Sequence, residues 1–366
     1  MNYYDLISLI LTQLHERINS DEFLERFRRP NSFVRYRKLT LKQVVAYLIH
    51  SKKRSMDIEL SDLQRQLPDI DFPDVSRQAV SKARKGILPD LFKELFDEQV
   101  EMVYTHLGCP KNWFGYRIFA VDRSTLEIPL SNDTSAEFGA ITSCNNHDVF
   151  WVEGLLSTIY DVFLDQIIDG QIYTKAAGER DPAREHWTRL QELNLADNAL
   201  LIFDRGYYSK ELYEDLVSNG CNVLMRLRKD NKFCKLGSDD FSWTATSANG
   251  KPILYRVVKV PLPQKSKEAN EYLVTNIINP SISPSLLYNL YFERWNIAKY
   301  GELKDWWELE EFTGTSCNSI EQELYINLLF SNIAALVKTE ADNIVKEKAF
   351  VKKQMGISGK KDFYHR

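Results

Sequence analysis

Five apolar residues in a row, Ala199-Leu200-Leu201-Ile202-Phe203, run straight into Asp204-Arg205-Gly206-Tyr207-Tyr208. A short unbroken apolar run bounded by turn residues predicts a strand buried on both faces, which places the chain among α/β folds. In open α/β sheets, functional groups gather beyond the carboxyl ends of the strands. This strand delivers Asp204 there. The stretch Ile118-Phe119-Ala120-Val121 repeats the design and delivers Asp122. Two such strands side by side would set two carboxylates together, a repulsive pair unless a divalent cation lies between them. The competing reading is that each Asp caps the turn or helix after it, a position Asp favours in any case.

The 366 residues suggest two to three domains, and a hydrophobic fraction of 44% is enough to fill a sizeable core. No run approaches the roughly 18 apolar residues of a membrane span, and Met1-Asn2-Tyr3-Tyr4-Asp5 has no charged n-region followed by an apolar core, so no signal peptide is expected. The five cysteines, Cys109, Cys144, Cys221, Cys234 and Cys317, form no CxxC pair. That fits a reducing cytoplasm and argues against a zinc site.

A net charge of −4 argues against nucleic acid until its distribution is read. Between Glu25 and Asp57 there is no acid, while Arg26, Arg28, Arg29, Arg35, Arg37, Lys38, Lys42, Lys52, Lys53 and Arg54 crowd the stretch. Such a block is the footprint expected for DNA phosphate contacts, Arg28, Arg29, Lys52 and Lys53 foremost; a solvated face is the alternative. Ser76 to Gly86 predicts a short helix capped by Ser76, with Arg77, Gln78, Ser81, Lys82 and Lys85 as a polar, basic set. That composition suits the second helix of a helix-turn-helix, although many surface helices share it.

Residues 1 to about 110 read as helical. Strand signals follow at Ile118–Val121, Leu126–Pro129 and Trp151–Phe163, an order that suggests an antiparallel meander. A helix is expected at about Pro182–Leu193 and another from Ser209 to about Ser218, with the next strand at Asn222–Arg228. Pro252–Val260 and Glu271–Thr275 read as strands of a β insertion. The last helices start near Pro284, one of them apolar over about Ser319–Val337, and the lysine-rich tail from Val345 reads as a solvated or frayed end.

With the stretch Tyr291-Phe292-Glu293-Arg294-Trp295-Asn296-Ile297-Ala298-Lys299-Tyr300-Gly301-Glu302-Leu303-Lys304, three blocks stand in order: the Asp122 strand, the Asp204-Arg205-Gly206-Tyr207 turn, and Tyr291…Arg294-Trp295. Together they resemble bacterial insertion-sequence transposases of the DDE class, in the group marked by a Tyr-x2-Arg-x3-Glu-x6-Lys helix. The resemblance runs over about Lys111 to Ala335. It implies a ribonuclease H-like fold: a mixed sheet, three strands antiparallel and the rest parallel, flanked by helices.

The division implied is a helical DNA-binding domain at 1–110 and a catalytic core at 111–229. A β insertion would follow at 230–280, the last core helices at 281–340 and a basic tail at 341–366. The resemblance implies that Asp122, Asp204 and a helix Glu hold two Mg²⁺ ions, for which Mn²⁺ may substitute. Tyr291 and Arg294, with Lys304 after them, would meet DNA phosphate; Arg205 would either meet phosphate or brace the acidic centre, a purely structural partner of the carboxylate being the alternative. The partner would be double-stranded DNA, both element ends and target, handled by a homodimer in a bacterial cytoplasm, at the nucleoid.

This chain departs from the pattern at the third acid. The position is Ala298, and Lys304 lies six residues beyond it where the motif asks for seven, the seventh being Asp305. Seven helical steps return to nearly the same face, whereas six leave a side chain roughly 120° away. An Ala methyl neither ligates a cation nor accepts a proton. Glu302, one turn further along, is a candidate substitute displaced by about 6 Å. The expectation is thus a transposase impaired in its third acid. The alternatives are a DNA-binding relic without catalysis or a stand-alone metal-dependent nuclease. His147 and His186 are isolated, and a core or surface role is the simpler reading. Ser124 has no His nearby in sequence and reads as a turn hydroxyl.

Overall fold

The computed structural model describes all residues except 1, 36–37, 52–57, 60, 63–64, 66–71, 109–112, 144–145, 176–177, 179, 237, 248, 263–268, 297–302, 305–307 and 355–366. Helices come first among the described residues, including α1 (Tyr3–Asn19), α2 (Asp21–Arg26), α3 (Leu41–His50), α4 (Arg77–Arg84) and α5 (Asp90–Leu107). Except at α5, which begins after Pro89 without one, their starts are fixed by side-chain caps. Ser20 and Ser76 accept from backbone N–H groups of α2 and α4, and Thr40 with Gln43 forms a capping box on α3.

The sheet begins with β1 (Arg117–Ile128), which pairs antiparallel with β3 (Asn146–Asp161), and β3 pairs antiparallel with β4 (Gln166–Thr174). Helix α6 (Asn132–Phe138) and the short β2 (Ala140–Ser143) lie between β1 and β3. The chain then crosses through α7 (Arg180–Glu192) to β5 (Ala199–Phe203), parallel to β1, and through α8 (Lys210–Ser218) to β6 (Asn222–Arg226), parallel to β5. β7 (Asp240–Thr246), β8 (Pro252–Pro261) and β9 (Asn270–Thr275) extend the same sheet antiparallel beyond β6. The order is β2-β3-β1-β5-β6-β9-β8-β7, with β4 also on β3. Helices α9 (Pro284–Asn296) and α10 (Cys317–Gln354) close the fold.

β5 is buried at every residue, as its unbroken apolar run requires. β1 is buried on both sides only from Ile118 to Val121 and alternates beyond Asp122, where one face opens. The two strands expected at 118–121 and 126–129 are therefore one. A polar residue on every second position hid the continuity. The last helix continues to Gln354, so the tail expected to fray from Val345 is helical over its first part.

β4 shows how the sheet receives helices on both faces, since successive strand residues point opposite ways. Asp169 accepts from or shares a proton with His186 Nδ1 of α7 at 2.8 Å, and His186 Nε2 meets Ser157 Oγ of β3 at 2.9 Å. This Ser–His–Asp chain is buried throughout and holds α7 to the sheet, so His186 is the core histidine the simpler reading expected. The next residue, Gly170, faces α10: a Cβ there would lie 2.8 Å from Leu328 Cδ1. Beside it, Gln99 of α5, Gln166 and Ile167 of β4 and Asn332 of α10 form a closed buried amide network. Each member has partners, the condition under which buried polar groups stabilise.

The residues before 110, expected as a unit of their own, share this core. Leu6 and Ile10 of α1 and Phe92, Leu95 and Phe96 of α5 belong to one apolar cluster that continues through the sheet to Leu336. The tightest polar joint is Arg84, at the end of α4. Its buried guanidinium donates to Gln322 Oε1 (2.7 Å), Ser319 O (2.7 Å) and Thr313 Oγ1 (3.0 Å), and pairs with Glu323 at 2.8 Å. Removing one partner of a buried pair leaves the other charge desolvated and unmatched. Arg84→Met is expected to lower unfolding free energy in urea by about 3–5 kcal/mol, and Arg84→Met with Glu323→Leu to recover much of it. A loss below about 1 kcal/mol for the single variant would show that this joint does not hold α4 to α10.

Candidate active site

β1 and β5 run parallel and in register, with Val121 opposite Phe203. The next residues, Asp122 and Asp204, consequently stand side by side, on strands about 4.8 Å apart. Phe203 is in turn opposite Met225, so Arg226 continues the row at the end of β6. The carboxylates are partly open: their side chains are 29% and 37% exposed.

Helix α9 lies against this row. Tyr291 is fully buried, and its hydroxyl donates to Asp204 Oδ1 at 2.8 Å. Arg294, three residues on and on the same helical face, brings Nη1 to 3.3 Å from Asp122 Oδ2 and Nη2 to 3.5 Å from Asp204 Oδ1. Its side chain is only 2% exposed. The guanidinium also packs over the Tyr291 ring, 5.5 Å from its centroid. Tyr160 of β3 donates its hydroxyl to the Arg294 carbonyl at 3.0 Å, tying the helix end to the sheet.

The two carboxylates sit in unlike environments. Burial, with the neighbouring Asp204 charge, pushes the Asp122 carboxyl above the usual range, against the opposing pull of Arg294 and the Arg123 backbone N–H. Burial works the same way on Asp204. There it is outweighed by the Arg205 backbone N–H, Arg294, the Tyr291 hydroxyl and Arg226, and the carboxyl lies below the usual range. One acid thus holds its charge firmly while its neighbour takes up a proton more readily, and the pair titrates as a unit.

Two residues expected at DNA phosphate are turned the other way. Tyr291 and Arg294 direct their polar ends onto the carboxylates and are enclosed by the fold. Lys304 donates to the Thr125 carbonyl at 2.7 Å and pairs with Glu310 at 3.1 Å, so its ammonium is engaged along β1. Arg205 is half-buried beside Asp204. In the basic block, Arg26 pairs with Glu94 at 3.2 Å, Arg28 pairs with Glu25 and donates to the Ser32 carbonyl, and Arg29 donates to Asn318 Oδ1 at 2.7 Å. Acids remote in sequence or at the edge of the run thereby answer part of a block that is acid-free only along the chain. Lys52, Lys53, Ala298 and Glu302 lie outside the described residues. Among the described residues no group of three or more His, Cys, Asp or Glu side chains could hold a metal ion.

Sequence reasoning missed Tyr160, Arg226 and Glu310. Arg226 carried a legible signal, since it ends an apolar strand just as Asp122 and Asp204 do. Tyr160 and Glu310 carried none, because each meets a backbone group distant in sequence, the Arg294 carbonyl and the Glu127 N–H. Glu310 accepts from the Glu127 backbone N–H at 2.9 Å as well as from Lys304.

The folded-state carboxyl of Asp204 lies below its unfolded value of about 3.9, so its contribution is present above that pH and is lost as pH falls through the folded value. Tyr291→Phe removes one cause of the lowering. It should cost about 1 kcal/mol at pH 7, the low end for a bond to a charged group because Asp204 is open to solvent. The difference from wild type should shrink in denaturant titrations below about pH 4. An equal difference at both pH values would mean that the hydroxyl acts through packing alone.

A profile of the family described as "Transposase DDE domain" matches residues 113–333. A search of curated proteins by sequence found no match. Among solved structures, the chain is similar to a piggyBac transposase synaptic complex with hairpin DNA, at 12% identity, covering 93% of this chain and 76% of that one with a TM-score of 0.48. It is also similar to the Mos1 mariner paired-end complex with Mn, at 12% identity, covering 90% and 86% with a TM-score of 0.22. No helix among the described residues is long and apolar enough to cross a membrane.

Proposed function

Because the chain belongs to the transposase DDE domain family, we propose that Asp122 and Asp204 are the first two acids of a centre that cuts transposon ends and joins them to target DNA. The observation that carries this reading is the parallel register that sets the two carboxylates side by side at the open end of β5. The sheet supports it: three antiparallel strands, β4, β3 and β1, continue into parallel β5 and β6, the ribonuclease H-like pattern.

The donor chemistry fits a hard divalent cation, Mg²⁺ or Mn²⁺. Two carboxylates stand side by side with their side chains partly open to solvent, the hard oxygen donors such an ion takes. When bound, the ions of such a centre activate water or a DNA 3′-hydroxyl and neutralise charge at the phosphodiester. Asp122 and Asp204 would hold the cation. The Tyr291 hydroxyl and the Arg205 backbone N–H keep Asp204 ionised and oriented for that task. A second reading, a copy that binds ends without cutting them, is favoured by Ala298 at the position of the third acid.

Cleavage and strand transfer on a duplex carrying the element's own end separate the two readings. The chain is compared with Ala298→Glu, with and without one residue inserted after that position. Loss of outer-shell support for a metal site already lowers activity about 10–100-fold, so loss of a ligand should cost at least about a hundredfold. The repaired chain should be faster by that factor. Equal rates would mean that another carboxylate, Glu302 first, supplies the third acid.

For DNA itself the groove between residues 31–35, 38 and 39 and α4 is the better candidate than Arg26, Arg28 and Arg29. It has a volume of about 830 Å³ and is lined by Arg35, Lys38 and Lys82 around Phe33, Val34 and Val75. Arg35, Lys38, Lys82 and Lys85 are exposed. A homodimer working on paired ends in the bacterial cytoplasm is part of the same proposal and rests on the family alone. Reversing these four charges to Glu should flatten the slope of log affinity against log salt by about 3–4, near 0.9 per phosphate lost. Reversing Arg26 and Arg28 should change it by less than about 1. The opposite ranking would return the DNA contact to the start of the basic block.

A further inference from the structure

Arg294 stands where a cation would act. One guanidinium, 2% exposed, reaches Asp122 Oδ2 at 3.3 Å and Asp204 Oδ1 at 3.5 Å. Helix α9 offers it little freedom to leave. Its carbonyl is held by Tyr160, its cation lies on the Tyr291 ring, and Tyr291 is itself hydrogen-bonded to Asp204. Two carboxylates carry two negative charges, and the one guanidinium lies against both.

We infer that Arg294 is the resident counter-ion of the Asp122–Asp204 pair: it keeps the two carboxylates assembled without metal and competes with an arriving divalent cation for them. This rests on the reading of the two acids as cation donors. The physical argument is charge and distance. A divalent ion draws carboxylate oxygens to about 2.1 Å, and it arrives beside an enclosed positive charge already in contact with the same two groups. In a partly buried site that repulsion is weakly screened. Arg294 therefore lowers metal affinity while it stabilises the metal-free site, and it acts as a positioning residue through the carboxylates. Lys cannot reproduce this geometry, because its ammonium is a point charge on a flexible stem, whereas the planar guanidinium fork reaches both acids at once.

The test is Mn²⁺ titration of the full chain, followed by water-proton relaxation, together with thermal melting in EDTA and in saturating Mn²⁺. The proteins are wild type, Arg294→Gln, Arg294→Lys and the Asp122→Asn/Asp204→Asn double variant. Arg294→Gln should bind Mn²⁺ about tenfold more tightly or better, melt lower than wild type in EDTA, and recover most of that deficit when Mn²⁺ is added. Arg294→Lys should fall between the two. A merely structural arginine would lower the melting point in both media and leave the Mn²⁺ affinity unmoved or weaker, and that result overturns the inference. If Arg294→Gln does not fold, Arg294→Lys decides: tighter Mn²⁺ binding than wild type supports the competition, and equal or weaker binding overturns it. Binding by wild type that is lost in the double Asn variant, with both Arg294 variants unmoved, overturns the competition alone. Binding by none of the proteins overturns the donor reading and the competition with it.

Discussion

The contact between the Arg294 guanidinium and the paired carboxylates of Asp122 and Asp204 is the interaction on which the rest of the centre depends. Two acids on adjacent parallel strands repel, and the fold tolerates them because an enclosed cation lies against both. The requirement propagates outward. α9 must lie across the strand ends, so Tyr160 holds its carbonyl and Tyr291 bonds Asp204. β1 and β5 must keep register, so their centres are apolar on both faces and covered by helices on each side.

How much of this was legible in the sequence varies with the range of the interaction. The strand ends at Asp122 and Asp204 could be read from apolar runs that stop at a carboxylate, since burial on both faces leaves a continuous local signature. Caps at Ser76 and Ser209 were readable for the same reason: a hydroxyl three residues before the amide it meets is a local pattern. The direction in which Tyr291 and Arg294 point was not. A helical spacing says that two side chains share a face but does not say which element that face covers, and here it covers the acids. Arg26 with Glu94 shows the same limit, because an acid supplied from sixty-eight residues away cannot be seen in a window of charge. The continuity of β1 past Asp122 was hidden by its one-sided burial.

The helices ahead of β1 and the sheet form a joint mechanical unit. Arg84 reaches from α4 into α10 through four polar partners, while α5 shares an amide network with β4 and α10. The groove beside α4 is thus joined to α10, and through Asn332 to β4, by a chain of buried hydrogen bonds. The Asp122–Asp204 centre and the basic groove lie on one framework.

Crystals of the full chain soaked with Mn²⁺ and measured for anomalous scattering address the central claim directly. The account predicts an anomalous peak between the Asp122 and Asp204 carboxylates, with the Arg294 guanidinium drawn further from them than 3.3 and 3.5 Å. A peak elsewhere, or no peak between these two residues at millimolar Mn²⁺ with Arg294 still seated on both, would contradict it.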